Sequence, residues 1–237
     1  MRSLFSTLSP ATPPAASAVA GLEEFAPLGF EEDEVKAPPM RYGAIPITFH
    51  TDKAPSCFTI TETKDESGLP HYDIWVLGTI GDSPADSTVS YDIVSILDSA
   101  PPGTNVTFKI SSPGGVVTIA LRICAAMERT RADVTTVAVG RCCSAGLQLW
   151  SRGKTRVMQP GAYLMAHGSS HGDSGNSAGI AASAQQTVDY VANVMLRPLV
   201  ELKVITMEQF IEITERRADI YIDAGTYAKR LEEEASE

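Results

Sequence analysis

The feature of this sequence that most restricts its fold is a strand, turn and helix pattern that occurs twice in succession. In the first unit, alternating residues 106–110 predict a strand, the Ser-Pro-Gly-Gly turn at 112–115 interrupts it, and apolar residues at helical spacing predict a helix over 116–131. In the second, the β-branched run 134–139 predicts a strand, and a helix opens at Ala145. Two such units predict right-handed crossovers and a parallel sheet, with both turns at the carboxyl edge where ligands bind.

Further strands and helices are predicted on both sides of these units. Alternation predicts a hairpin of strands over 57–61 and 72–78, and Ser83-Pro84 is typical of the start of a helix, here to about Leu97. Downstream, the sequence predicts short strands at 156–158, 162–166 and 219–223, a glycine-rich loop or edge strand at 168–179, and helices over 181–203, 206–214 and 224–231. The first of these helices contains Pro198, which predicts a kink.

The folded domain is predicted over residues 43–232. Residues 1–42 are rich in proline and alanine and carry an acidic run at 31–34, which is typical of a poorly ordered extension, and residues 233–237 form an acidic tail. Because residues 1–22 are rich in Ser, Ala and Pro and contain no acid, a plastid-type transit peptide is an alternative for the leader.

Composition excludes several classes of protein. The net charge of −10 argues against a nucleic-acid binder, which needs a basic face. No apolar run approaches the roughly 18 residues that span a bilayer. The four cysteines lack the C-x-x-C spacing of a metal site, which favours reduced thiols in a cytoplasmic setting and predicts no metal.

Residues 140–146, Gly-Arg-Cys-Cys-Ser-Ala-Gly, place Ser144 at a strand-to-helix junction. A serine there either caps the helix or acts as a nucleophile whose oxyanion the first helical amides stabilise. The flexible turn at 112–115 adds the Gly115 amide, which together with the Ala145 amide can form an oxyanion hole with two hydrogen-bond donors.

A nucleophilic serine needs a base and an acid that orients the base. Of the four histidines, His167 ends an apolar strand shortly after Ser144 and is the candidate base, and His171 in the glycine-rich loop is the alternative. Asp219 precedes a strand-like segment and is the candidate acid. The order Ser, His, Asp differs from that of nucleophile-elbow, chymotrypsin-like and subtilisin-like enzymes, and those families are excluded.

Three segments resemble the signatures of the ClpP family of serine peptidases. They are Ile-Ser-Ser-Pro-Gly-Gly at 110–115, the serine segment at 140–146 and Leu-Met-Ala-His at 164–167. The resemblance extends over residues 72–231, about two thirds of the chain. It implies an α/β fold of the ClpP/crotonase type, with stacked β-β-α units and a helical handle. It also implies hydrolysis of peptide bonds through an acyl-enzyme, without a metal or organic cofactor.

Carried over residue by residue, the resemblance implies Ser144 as nucleophile, His167 as base, Asp219 as orienting acid, and the amides of Gly115 and Ala145 as the oxyanion hole. The sequence departs from the family at three places. Cys142 and Cys143 replace small residues, and the segment before the aspartate is two residues longer than in the family. The N-terminal region resembles the phage and prophage branch, which often serves in prohead maturation.

The longer segment leaves Glu215 and Asp223 as alternatives to Asp219. Counting back from Ala224 favours Asp219, because an aromatic and an aliphatic residue then follow the acid at the family's spacing. An acid at position 223 could instead cap the last helix.

The resemblance also implies partners. A homo-oligomeric ring, a heptamer or double heptamer, is expected, with the apolar helix over 181–203 packed between subunits. Substrates would be proteins or peptides, and an AAA+ unfoldase or capsid and scaffold proteins could assist, in the cytoplasm of a host if the chain is phage-encoded. Two alternatives are a crotonase-like acyl-CoA enzyme, which shares the fold and the hole, and a non-catalytic ring or capsid-assembly component.

Overall fold

The structure is a computed structural model that describes residues 47–48, 56–66, 68–168 and 177–235 of the chain. The predictions for the extension 1–42, for the alternative base His171 and for most of the glycine-rich loop lie outside the described residues. The last helix runs to Ala235, so it includes the first residues of the segment predicted as a tail.

The described residues form a mixed α/β fold. Its strands are β1 Ile47–Thr48, β2 Phe58–Lys64, β3 Pro70–Leu77, β4 Asn105–Ser112, β5 Asp133–Cys143, β6 Thr155–Met158, β7 Tyr163–Ala166 and β8 Ile220–Asp223. Its helices are α1 Pro84–Ser99, α2 Val117–Arg129, α3 Ala145–Ser151, α4 Ser177–Tyr190, α5 Arg197–Glu201, α6 Met207–Arg216 and α7 Ala224–Ala235, with a π-helical turn at Val191–Leu196 between α4 and α5.

One sheet contains the eight described strands in the order β1-β2-β3-β4-β5-β7-β8, and β6 also pairs with β5. Strands β3, β4 and β5 are parallel, as the repeated strand, turn and helix pattern predicted. The predicted hairpin of β2 and β3 is antiparallel, and β8 adds to β7 in the antiparallel sense.

Strand β5 is longer than its sequence pattern indicated, and this extension positions the site. It pairs with β6 through residues 135–138 and then with β7 through residues 141–143. The prediction that the strand ends at 139 was therefore wrong, because pairing with β7 keeps the backbone extended beyond Gly140. As a result, β5 delivers the chain directly to Ser144.

The core lies between the sheet and the helices that cross it. On β4, the alternate residues Val106, Phe108 and Ile110 are fully buried, and the apolar face of α2 belongs to the same core. Every residue of α3 is buried, which suits a short helix that is apolar on nearly all faces. Trp150 at its end donates from Nε1 to the carbonyl of Val157 at 3.0 Å.

The long helix predicted over 181–203 is present but interrupted. The α-helical geometry changes to a π-helical turn at Val191–Leu196 and resumes at Arg197, directly before Pro198. Because Pro198 has no N–H, it cannot donate to the carbonyl of Val194. The Nη2 of Arg152 donates to that carbonyl at 3.4 Å and ties this helical region to α3. Within the described stretches, no helix is long and apolar enough to cross a membrane.

Candidate active site

Ser144 lies at the junction of β5 and α3 in a strained backbone conformation. Its φ of 53° and ψ of −119° are unusual for a residue with a Cβ, and such strain concentrates at functional sites. The surrounding structure holds it there, because the Ser144 amide donates to the carbonyl of Met165 at 2.9 Å. Its side chain makes no capping hydrogen bond to α3, so the capping alternative does not describe this serine.

His167 follows β7 directly, and its Nε2 lies 2.8 Å from the Oγ of Ser144. The parallel pairing of β5 and β7 explains this contact, since it brings the carboxyl ends of the two strands together. When Nδ1 carries the imidazole proton, Nε2 accepts the hydrogen bond from the serine hydroxyl. The pair is then arranged for transfer of the serine proton to the imidazole.

Asp219 immediately precedes β8, on the strand next to the one that ends at His167. The last pair of the β7–β8 ladder joins Ala166 to Ile220, and continuing that register places Asp219 opposite His167. Both residues line a cavity of about 470 Å³. The Asp219 side chain is exposed, and no hydrogen bond between its carboxylate and His167 is present in the described part of the chain.

The two alternative acids occupy different places. Asp223 accepts from the backbone amide of Thr226 at 2.8 Å and from its hydroxyl at 2.9 Å, in the first turn of α7. These hydrogen bonds lower the pKa of Asp223, and the strand register puts it opposite Tyr163, at the far end of β7 from His167. Glu215 is exposed in the last turn of α6.

The Pro-Gly-Gly turn packs directly against the serine. A Cβ on Gly114, which has a φ of 100°, would lie 2.6 Å from the Cβ of Ser144 and 3.1 Å from the amide nitrogen of Ala145. A Cβ on Gly115, at a φ of 143°, would lie 2.0 Å from the carbonyl oxygen of Ile80. Only glycine fits at either position, as expected where backbone must approach a reacting centre.

Two backbone amides at this turn are available to a ligand. Over the described ranges, neither the Gly115 amide nor the Ala145 amide donates a hydrogen bond to another protein group. Ala145 opens α3, and the first amides of a helix have no partner within it. Both N–H groups are therefore unpaired donors, one in the Pro-Gly-Gly turn and one at the start of α3.

Ile80 supports this turn, and its role was not predicted from the sequence. The Ile80 amide donates to the Gly114 carbonyl and the Val116 amide donates to the Ile80 carbonyl, both at 2.8 Å. These bonds flank Gly115 on both sides. Backbone pairing leaves no mark on side-chain patterns, and the only signals were the glycines near Ile80.

Beside Ser144, a narrow pocket is lined mainly by apolar side chains, from Leu147, Met195, Leu196 and Leu199. Its polar side chains are those of Ser144, His167 and Gln148, and Nε2 of Gln148 donates to the Met195 carbonyl at 3.3 Å. With a volume of about 20 Å³, the pocket has room for about one water molecule.

The cysteines near the site are not suited to act as nucleophiles. All four are free and buried. Burial raises the pKa of the Cys142 thiol well above its usual value and also raises that of Cys143. Thiols with a raised pKa stay protonated at neutral pH and react slowly. Among described residues, no group of three or more His, Cys, Asp or Glu side chains is placed to hold a metal ion.

Together, the fold and the site define a mixed α/β protein whose candidate active site lies at the carboxyl edge of its parallel strands. The sequence model of the family described as Clp protease matches residues 69–229, more than half of the chain. The chain therefore belongs to the Clp protease family, which makes it a peptidase. The predicted membership and the ClpP/crotonase-type fold are confirmed.

Proposed function

We propose that this protein is a serine endopeptidase that hydrolyses peptide bonds through an acyl-enzyme. The observation that supports it most strongly is the 2.8 Å approach of His167 Nε2 to the Oγ of a strained Ser144, in a member of a peptidase family. A nucleophile within hydrogen-bond distance of its base is the arrangement that acyl transfer requires.

In the proposed reaction, Ser144 Oγ attacks the carbonyl carbon of the substrate while His167 Nε2 takes the hydroxyl proton. The carbonyl oxygen becomes an oxyanion that accepts hydrogen bonds from the Gly115 and Ala145 amides. Collapse of the intermediate breaks the C–N bond, and the imidazolium returns the proton to the leaving amine. Water, deprotonated by His167, then releases the acyl group from Ser144.

Asp219 is the proposed acid that orients His167. Its support is the strand register that places it opposite the histidine and the cavity that both residues line. In the working enzyme, its carboxylate would accept a hydrogen bond from Nδ1–H of His167 and so keep Nε2 free to accept the serine proton. Catalytic hydrogen bonds that are long without substrate often shorten in the reacting complex.

We further propose a homo-oligomeric ring, a heptamer or double heptamer. Its support is the apolar surface of α4 and the π-helical turn, where Val188, Tyr190 and Val194 are substantially exposed in the single chain. The same proposal includes partners, either an AAA+ unfoldase or capsid and scaffold proteins. It also includes a role in phage prohead maturation and action in the cytoplasm. Light scattering that finds a fully active monomer would refute the ring.

The test of the peptidase proposal is Ser144→Ala, assayed on a fluorogenic peptide. Loss of the nucleophile in such a triad lowers kcat on the order of 10⁶-fold. The matched control is Cys143→Ser, which changes the neighbouring side chain and should keep most activity. Full activity in Ser144→Ala, or its loss only in the cysteine variant, would reject the serine mechanism.

A further inference from the structure

We propose that Asp86 is a positioning residue for the oxyanion hole, because it fixes the segment that holds Gly115 in place. The proposal rests on the serine peptidase function proposed above. Asp86 lies in the first turn of α1, was not singled out by the sequence, and does not line the pocket beside Ser144.

Asp86 is fully buried, and both oxygens of its carboxylate accept hydrogen bonds. Oδ1 accepts from the Ser56 hydroxyl at 2.7 Å and from the Cys57 amide at 2.8 Å, and Oδ2 accepts from the Gly81 amide at 2.7 Å. No lysine, arginine or histidine of the described chain forms an ion pair with it. A buried charge without a cation persists only when hydrogen bonds compensate for its lost hydration.

The charge state of Asp86 agrees with this geometry. Burial acts to raise the pKa of Asp86, but the hydrogen bonds from Ser56, Cys57 and Gly81 outweigh it and hold the pKa below its usual value. The group is therefore a carboxylate at neutral pH, and both of its oxygens are acceptors. Such charge-assisted bonds are about twice as strong as bonds between neutral groups.

The bond to Gly81 connects Asp86 to the oxyanion turn. Gly81 directly follows Ile80, whose amide and carbonyl make the two bonds that flank Gly115. Gly81 also packs against the turn, since a Cβ on it would lie 2.4 Å from Cγ2 of Val116. The carboxylate thus holds the Ile80–Gly81 backbone, and that backbone in turn holds the Gly115 peptide.

Asparagine can replace the volume of Asp86 but not its hydrogen bonds. An amide has one acceptor oxygen, and its nitrogen is a donor. With the amide oxygen toward Ser56 and Cys57, those two bonds are kept and the nitrogen faces the Gly81 N–H. With the amide reversed, the oxygen keeps the Gly81 bond and the nitrogen donates to the Ser56 hydroxyl but faces the Cys57 N–H. In either orientation the amide nitrogen faces a backbone N–H donor, so the side chain at position 86 shifts and the Ile80–Gly81 segment that it fixes is displaced. In an active site, a displacement of about 1 Å can cost about 10²-fold in rate.

The test compares Asp86→Asn with Ser56→Ala. Ser56→Ala removes a donor to the same carboxylate but leaves the Gly81 bond, so it serves as the matched control. For Asp86→Asn we expect kcat to fall about 10²-fold while KM stays within about twofold. The inhibition constant of a peptide aldehyde, whose adduct places an oxygen in the hole, should rise in proportion to the loss in kcat/KM. Ser56→Ala should keep kcat within about twofold, whatever its effect on Tm.

A purely structural role gives a different result. The proposal would be overturned if Asp86→Asn kept kcat within about threefold of the parent. It would also be overturned if Ser56→Ala lost as much kcat, and as much Tm, as Asp86→Asn. If Asp86→Asn does not fold, Asp86→Ser, which leaves space for water and adds no opposing amide, is measured in the same way. If neither variant folds, the carboxylate is a folding determinant and the proposal is rejected. Should Ser144→Ala keep peptidase activity, the proposed function fails independently of Asp86.

Discussion

The contact between Gly114 and Ser144 predicts that Gly114→Ala inactivates the enzyme while leaving it folded. The added Cβ would lie 2.6 Å from the Cβ of Ser144 and 2.9 Å from the Cys143 carbonyl oxygen. Non-bonded carbons prefer a separation of roughly 3.5–4.0 Å, so the turn and the serine must separate by about 1 Å. A shift of that size predicts a loss of about 10²-fold in kcat.

The cost in stability has two parts. Alanine at a φ of 100° carries backbone strain of about 1–3 kcal/mol, and the contact with Ser144 adds to it. The matched control is Gly161→Ala, because Gly161 also has a positive φ, of 82°, but has no atom within 4 Å of the added Cβ. Gly161→Ala should lose a similar amount of stability through backbone strain and keep its peptidase activity.

Urea unfolding and peptidase assays of the two variants separate these effects. We expect both variants to lose stability through backbone strain, Gly114→Ala to lose more because of the contact, and only Gly114→Ala to lose much of its kcat. It would be refuted if Gly114→Ala kept kcat within about threefold of the parent, or if Gly161→Ala lost as much activity.

Two other predictions concern the acid and the thiols. Asp219→Asn should lower kcat by roughly 10⁴-fold, because His167 would adopt the wrong tautomer. Asp223→Ala should keep kcat but lose about 1 kcal/mol of stability, because the N-cap of α7 is removed. The reverse pattern in a peptidase assay would show that the wrong acid was assigned. Burial raises the pKa of Cys57 and of Cys124 to about 12, so their contribution to stability is complete below the unfolded pKa of about 8.5 and is lost as the pH rises toward 12. In urea unfolding from pH 8 to 11, the free energy of unfolding should decline with a slope that approaches about 1.4 kcal/mol per pH unit for each thiol. Cys124→Ala should reduce this slope. An unchanged slope in that variant would contradict the raised pKa of Cys124.

The sequence predicted those parts of the fold that depend on side-chain alternation and turn chemistry. The hairpin of β2 and β3 and the parallel strands β4 and β5 follow from alternating burial. The start of α1 follows from Ser83, whose hydroxyl accepts from the Ala85 amide at 3.2 Å. In the site, the approach of Ser144 to His167 agrees with the expectation that both end neighbouring strands.

The features that sequence reasoning missed depend on tertiary pairing. Residues after Val139 contain Gly140 and Arg141, which do not favour a strand, and only pairing with β7 keeps them extended. The π-helical turn before Pro198 is supported by Arg152, which is far away in sequence. The support of Gly115 by Ile80 is carried entirely by backbone atoms. Gly81 and Pro198 mark two of these places in the sequence, but neither residue identifies the partner in the contact.

The assignment of Ser144 as the nucleophile is tested most directly by labelling the full chain with a fluorophosphonate probe and locating the adduct by peptide mass spectrometry. We expect one adduct per chain, on Ser144, absent from Ser144→Ala and strongly slowed in His167→Ala, because the imidazole activates the hydroxyl. An adduct on Cys142 or Cys143, or undiminished labelling of Ser144→Ala, would contradict the proposed mechanism.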